Sequence, residues 1–250
     1  MRLWVVIPAY NEAPGIAATL HALAAQTDRD FTVVVVDNGS TDGTADVVRG
    51  FAGPVGAGPV QVIAEARKGT GAAADSGMRH AISHGATHLA RTDADCLPDP
   101  DWTACIRAAF GDGLELVSGQ LLPRTDEGPL PRRYRWLLVG AVEVAAWFGK
   151  FRPANRDPAY LGPYVMAAGC NMAIEAGLYE RAGGFPRTAI EELHEDRALV
   201  NAVRRLTPAY GLRRDVKVRG STRRVRAWGL RRTLAWYADH RYRPSIVDIR

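Results

Sequence analysis

At 250 residues, with 47% apolar and 24% charged side chains, the chain is long enough to bury a substantial core, and its make-up excludes wholesale disorder, collagen and a coiled coil. The formal net charge of +5 is lopsided: residues 201–250 hold 13 Arg and Lys217 against Asp215, Asp239 and Asp248, a local balance of +11 that leaves −6 for residues 1–200. Cys96, Cys105 and Cys170 are odd in number and form no Cys-x-x-Cys pair, which argues against a disulfide framework or zinc knuckle and fits a reducing, cytoplasmic setting.

The first predicted strand, residues 3–7, is an apolar run with no basic leader, long apolar region or cleavage site before it, so export is not expected. A helix follows over 12–25 with Pro14 in its first turn, then a β-branched strand over 31–36. Turn formers fill 37–43, and Thr41 or Asp42 can cap a helix running to about Phe51. After a loop over 53–59 come a strand over 60–64, a helix over 71–84 and a strand over 88–92 that ends on Asp93-Ala94-Asp95. Strands alternating with helices in this way predict an α/β fold, a Rossmann-like, mostly parallel sheet flanked by helices.

Beyond Asp95 the rhythm loosens. Asp101 can cap a helix to about Phe110, a strand spans 115–119, and 122–133 is a Pro- and charge-rich connection. The amphipathic helix predicted over 134–150 places Trp136, Leu137, Val144 and Trp147 at core-like spacing. Its apolar run over 136–148 is broken by Glu143 and falls short of the roughly 20 residues a bilayer requires, so no spanning helix is expected. Residues 152–163, with three prolines and two glycines, form a candidate mobile loop. A strand over 167–174, a short helix over 175–182, a turn over 183–186 and a helix over 192–205 complete the predicted elements.

In a sheet of this kind, ligands bind beyond the carboxyl ends of the strands. Those positions hold Pro8-Ala9-Tyr10-Asn11-Glu12, Asp37-Asn38-Gly39-Ser40, Ala66-Arg67-Lys68-Gly69 and Asp93-Ala94-Asp95, so polar groups converge on one edge. Asp93 and Asp95, read as an extended strand end, face one point and suit a hard divalent cation, Mg²⁺ or Mn²⁺, shared with a diphosphate. In Glu191-Glu192-Leu193-His194-Glu195-Asp196, Glu192 and Asp196 share a helix face, so one carboxylate can take a proton while the other orients it. His194 can complete a metal shell.

The segments Val5-Val6-Ile7-Pro8-Ala9-Tyr10-Asn11-Glu12 and Val36-Asp37-Asn38-Gly39-Ser40-Thr41-Asp42-Gly43-Thr44, the Asp93-Ala94-Asp95 doublet and Glu195-Asp196 resemble the ordered motifs of inverting family 2 glycosyltransferases of GT-A fold. Ala168-Gly169-Cys170-Asn171-Met172-Ala173-Ile174 with Gly183-Gly184-Phe185 is similar to that family's acceptor-side region, and the likeness covers roughly residues 3–205. The resemblance implies that Pro8, Tyr10 and Glu12 line a nucleoside pocket and that Asp37 accepts a hydrogen bond from the base. Lys68 would lie near base and diphosphate, Asp93 would reach ribose or metal, and Asp95 would bind the metal. Asp196 would be the general base, with Glu195 the other contender. It further implies a nucleoside-diphosphate sugar as donor and a small-molecule or lipid-linked acceptor. Residues 1–96 would form the donor half, and 97–250 the acceptor and base half with a basic C-terminal region, in one continuous domain. The Gln-x-x-Arg-Trp motif of processive synthases is missing, since Arg223-Arg224-Val225-Arg226-Ala227-Trp228 is only loosely like it; non-processive transfer is therefore expected.

The basic C-terminal region supports two expectations. Arg223, Arg224 and Arg226 can fold over a diphosphate, or Trp228, Leu230, Leu234, Trp236 and Tyr237 among arginines can rest on the anionic inner face of a membrane. Rival readings are a dinucleotide-binding oxidoreductase, from Gly69-Thr70-Gly71-Ala72-Ala73-Ala74 with Asp93 about 20 residues on, and a basic nucleic-acid binder. Carboxylates aimed into one crevice argue against nucleic acid.

Overall fold

A computed structural model of the chain describes residues 1–128, 131–187 and 195–237. Its first part is the predicted alternation: β1 (Leu3–Ala9), α1 (Ile16–Ala24), β2 (Phe31–Asp37), α2 (Thr44–Arg49), β3 (Gln61–Ala64), α3 (Thr70–Ser83) and β4 (His88–Arg91). The four strands are parallel, with Leu3 opposite both Phe31 and His88, and Ala9 level with Asp37, which is level with Ala64. The loops that follow β1 to β3 therefore leave one edge of the sheet, and the turn after β4 joins them.

These strands are apolar without interruption because both of their faces are covered. Trp4, Val6, Val34 and Val36 pack on one side with Ala73, Ala74 and Met78 of α3. Leu3, Val5, Ile7, Val33 and Val35 pack on the other with Leu20 and Leu23 of α1. Each such buried side chain stabilises the fold by about 1.5–3 kcal/mol relative to exposure.

The second part comprises β5 (Leu97–Pro98), α4 (Trp102–Gly111), β6 (Leu116–Pro123), α5 (Arg132–Gly149), β7 (Met172–Glu175), α6 (Ala176–Arg181), α7 (Glu195–Val203), β8 (Tyr210–Gly220), α8 (Arg223–Trp228) and α9 (Leu230–Tyr237). Among the described residues the sheet has eight strands in the order β3-β2-β1-β4-β7-β6-β8-β5. β7 runs antiparallel to β4 and β6, and β8 pairs parallel to β6 and antiparallel to β5. Asn171, fully buried, holds this region together: it accepts from the Trp102 indole at 2.9 Å and donates to the carbonyls of Gln120 and Val216 at 3.0 Å.

Several expectations change. The strand predicted over 167–174 begins only at Met172, and the helix predicted from Glu12 begins at Ile16, with Pro14 in the turn before it. Asp101 precedes α4 without a side-chain cap, while Asp42 does accept from the Thr44 N–H at 3.0 Å. Residues 152–163 are pinned by the buried Arg204, which donates to the carbonyls of Asn155 and Gly162, and by the Tyr210 hydroxyl, which donates to Pro163. Part of the basic region is built into the sheet: β8 supplies Val216 and Val218 to the core, while Arg213 pairs with Asp112 and Asp215, and Arg219 with Asp99. Trp136, Leu137, Val144 and Trp147 are exposed rather than buried, because α5 lies outside the two layers that cover the sheet. Among the described residues no helix is long and apolar enough to cross a membrane.

Candidate functional site

The first two strand-end loops are laced together. Asn11 adopts a positive φ of 51°, the one non-glycine residue to do so among the described residues, and its side-chain oxygen accepts from the Thr41 N–H at 2.8 Å. In return Ser40 accepts from the Asn11 N–H, Thr44 from the Glu12 N–H and Asp42 from the Ala13 N–H, at 2.8–3.0 Å. Pro8 lies opposite Val36, one pair before the end of the β1–β2 pairing, and Asp37, the last residue of β2, accepts from the Ser40 N–H. Asn38, buried, reaches across to the third loop: it donates to the carbonyls of Glu65 and Arg67 and accepts from the Gly69 N–H at 2.9 Å. Lys68 then lies 3.8 Å from the Tyr10 ring centroid and donates to the carbonyls of Asn38 and Gly39. Tyr10, Asp37 and Lys68, separated in sequence, thus share one end of the crevice.

At the other end stands Arg91, the last residue of β4 and fully buried. Its guanidinium donates to Asp93 at 3.3 Å and to Glu195, at the start of α7, at 3.4 Å. Burial alone would ease its proton off, but the carboxylates of Asp93, Glu195 and Asp196 outweigh that and hold it charged. Desolvation raises the Asp93 carboxyl above its ordinary range, with Asp95 and Glu195 adding to the rise and Arg91 opposing it. Asp196 is pushed up to about 6, first by burial and then by the charge of Glu195, against a hydrogen bond from the Arg197 N–H.

Asp93 and Asp95 do not continue a strand. β4 ends at Arg91, and the Cys96 N–H bonds back to the Asp93 carbonyl in a turn, so strand alternation does not aim the two carboxylates. They are placed instead by ion-pair partners: Asp93 by Arg91, two residues before it, and Asp95 by the remote Arg223, which donates to Asp95 and Glu12, each at 2.8 Å. Arg124 adds a bond to the Asp95 carbonyl at 2.8 Å and grips Asp126 and Glu127, and Glu127 accepts from the Thr222 N–H just ahead of Arg223. Arg224 follows in α8, partly buried.

Among the described residues no group of three His, Cys, Asp or Glu side chains forms a cage for a metal ion. The donor set nonetheless fits a cation that takes few protein oxygens and fills its shell with phosphate and water, because Asp93 and Asp95 offer two carboxylates close enough to feel each other's charge. Glu192 and His194 lie outside the described residues.

The Gly183-Gly184-Phe185 turn is explained by packing. Gly184 has a φ of 77°, and a Cβ there would fall 2.6 Å from Asp75, whose other bonds come from Tyr179, Arg79 and Arg187. The turn sets the Phe185 ring 5.1 Å from the Arg91 guanidinium. Gly71, the second glycine of the dinucleotide-like run, is required by the Pro186 carbonyl, which a Cβ would meet at 2.4 Å. Packing, rather than a pyrophosphate, accounts for it.

Arg91 and Arg124 escaped the sequence reading, and Asn38 was named there only as one of the polar strand-end residues. Arg91 did leave a signal, since an arginine closing the apolar run Leu89-Ala90 must find carboxylates if it is buried.

A sequence model described as "Glycosyl transferase family 2" matches residues 4–182. Glycosyltransferase AglE of Haloferax volcanii is 37% identical over 120 residues, 47% of this chain and 38% of that protein. The mannosyltransferase PcManGT of Pyrobaculum calidifontis, solved with GDP-Man and Mn²⁺, is 25% identical with a TM-score of 0.61 over 91% of this chain and 59% of that one. Residues 1–349 of S. aureus TarS, solved with UDP-GlcNAc, give a TM-score of 0.65 at 16% identity over 89% of this chain and 59% of that one, a likeness of fold. The chain thus spans less than two thirds of each of these chains. A family match over most of the chain, a sheet edge carrying strand-end motifs that resemble the family's and a neighbour of like fold agree: the chain belongs to glycosyl transferase family 2 and has a GT-A fold.

Proposed function

We propose that the chain transfers a sugar from a nucleoside-diphosphate sugar to an acceptor hydroxyl, non-processively and with inversion at the anomeric carbon, in a divalent-metal-dependent reaction. One observation carries the reading: a single buried cation, Arg91, ties the Asp93 loop to the helix that presents Glu195 and Asp196. Donor end and acceptor end are thereby fixed relative to each other.

In this reading Pro8, Tyr10, Asp37 and Lys68 receive the nucleoside, with Asp37 accepting from the base and Lys68 standing between Tyr10 and the phosphates. Asp93 and Asp95 would hold Mn²⁺ or Mg²⁺, which when bound supplies positive charge to the departing diphosphate. Glu12 holds Arg223, and Arg223 with Arg224 faces the same phosphates. The acceptor oxygen bonds to the anomeric carbon as the bond to the diphosphate breaks, its electron pair leaving with the phosphate oxygen. Asp196 takes the hydroxyl proton. A carboxyl raised to about 6 is ionised at neutral pH yet more basic than an ordinary aspartate, which suits a general base. Glu195, committed to Arg91, orients. Residues 1–96 serve as the donor half and 97–250 as the acceptor half, Arg223 reaching from the second into the first. The free thiols of Cys96, Cys105 and Cys170 fit work in the reducing cytoplasm, at or near the inner face of the membrane.

The test is a melting-temperature screen of UDP, GDP and dTDP with and without Mn²⁺, followed by transfer assays with the matching sugar nucleotides and NMR of the product anomer. A rise that needs nucleotide and metal together, and a product of inverted configuration, are expected. No stabilisation by any pair, or a retained configuration, would sink the reading.

A further inference from the structure

Helix α5 carries an apolar stripe that nothing among the described residues covers. Trp136 is 78% exposed, Leu137 52%, Val144 55%, Trp147 54% and Phe148 58%. With Gly140, these positions fall within an arc of about 120° on a helix advancing 100° per residue, over roughly 18 Å of its length. Trp147 gathers Phe148 and Phe151 around it, with ring centroids at 4.9 and 4.8 Å. A stripe of this breadth normally faces a core. Here it faces outward.

Its surroundings identify the occupant. The sequence sets Arg132, Arg133 and Arg135 before the stripe and Lys150, Arg152 and Arg156 after it. The one acidic residue of the helix, Glu143, is neutralised by Arg214 at 3.2 Å. Two copies packed through this stripe would bring like charges together at both ends, which opposes self-association. An anionic surface meets the same pattern with opposite charge throughout. Trp and Phe in the stripe suit the boundary between headgroups and acyl chains, and the helix is too polar to cross a bilayer.

We propose that α5 docks the protein on an anionic lipid bilayer, lying in the plane of the interface with Trp136, Leu137, Val144, Trp147 and Phe148 inserted and its basic ends against headgroup phosphates. The docking stands independently of the glycosyl-transfer reading. What rests on that reading is one consequence: the segment leading into α5 grips the site through Arg124 on the Asp95 carbonyl and Glu127 on Thr222, so an acceptor hydroxyl is presented from the lipid surface.

The experiment is co-sedimentation of the full chain, without donor or acceptor, on phosphatidylcholine vesicles with and without about 30 mol% phosphatidylglycerol. The chain is expected to partition onto anionic vesicles, with Trp emission shifted to the blue, and to leave them in high salt. The triple variant Trp136→Ser, Trp147→Ser, Phe148→Ser is expected to lose at least tenfold in partitioning, while its melting temperature, its monomeric state by light scattering and its stabilisation by nucleotide with Mn²⁺ stay as in the parent. A parent chain that remains in the supernatant, a variant that binds equally well, equal binding to neutral vesicles, or a parent dimer that the variant splits would each overturn the proposal. The nucleotide readout keeps the two readings apart, because it can fail while docking holds and the reverse.

Discussion

Arg223 donates to Asp95 at 2.8 Å, so a carboxylate read from sequence as a metal ligand is held by a guanidinium from more than a hundred residues further along the chain. The same nitrogen reaches Glu12 at 2.8 Å, and the two carboxylates keep Arg223 firmly charged against the cost of its partial burial. In the proposed reading a metal would compete with this cation for Asp95, whereas the cation and a diphosphate would attract.

Replacing Arg223 and Arg224 together by Ala should therefore have opposite effects on two ligands. Binding of nucleoside diphosphate with metal should weaken by roughly tenfold to a hundredfold, since a charge-assisted bond is worth about 1.5–3 kcal/mol. Binding of Mn²⁺ alone, followed by its paramagnetic resonance signal, should tighten. Unchanged nucleotide affinity by calorimetry rules the arginine clamp out.

Asp95→Ala should abolish metal-dependent transfer and the metal-dependent part of nucleotide binding. The fold should survive, because Arg223 keeps Glu12 and Arg124 bonds the Asp95 carbonyl rather than its side chain. Full activity of the variant at ordinary Mn²⁺ would remove Asp95 from the metal site.

For Asp196 the pH dependence has a definite sign. A base must be ionised to act, so kcat/KM should climb as pH rises through about 6 and level off above it. Asp196→Asn should cut transfer by roughly 10²–10⁴ with donor affinity nearly unchanged. Stability runs the other way. The folded value lies above the 3.8 of a free aspartate, so stability is greatest below about 4 and falls as pH rises to about 6. At pH 7.5 the Asn variant should melt no lower than the parent, and a clear loss of stability would show that the ionised carboxylate is structural. If Glu195→Gln lowers transfer more than Asp196→Asn does, the two exchange roles.

Arg91→Ala leaves Asp93, Glu195 and Asp196 without the cation that joins them, and breaking a buried ion pair from one side costs about 3–5 kcal/mol. The melting temperature should fall, and residual activity should titrate at higher pH because Asp196 loses a stabilising charge. Arg91→Lys should restore part of both. A variant with parental stability and an unmoved pH profile shows that Arg91 does not couple the two ends of the site.

Local sequence determined the first four strands and the helices between them. Continuous apolar runs need cover on both faces, which dictates a parallel sheet, and the polar groups just past each run had to gather at one edge. The place of Pro8, Tyr10, Glu12, Asp37, Lys68 and Asp93 at or just past the strand ends was legible for that reason. Strand β8 left a weaker trace, the alternation of Val216-Lys217-Val218-Arg219, which the surrounding arginines masked. Only the tertiary structure decided the rest. An apolar stripe at helical spacing reads alike whether it meets a core or lipid, so the exposure of Trp136 and Trp147 depends on where α5 falls relative to the sheet. Ion-pair partners depend on distance in space, and nothing in the order of residues links Arg91 to Glu195 or Arg223 to Asp95. Those pairs exist because the end of β4 meets the start of α7 and because the chain after β8 returns to the loops after β1 and β4, which brings charges remote in sequence within a few ångströms where partial burial weakens the screening by water.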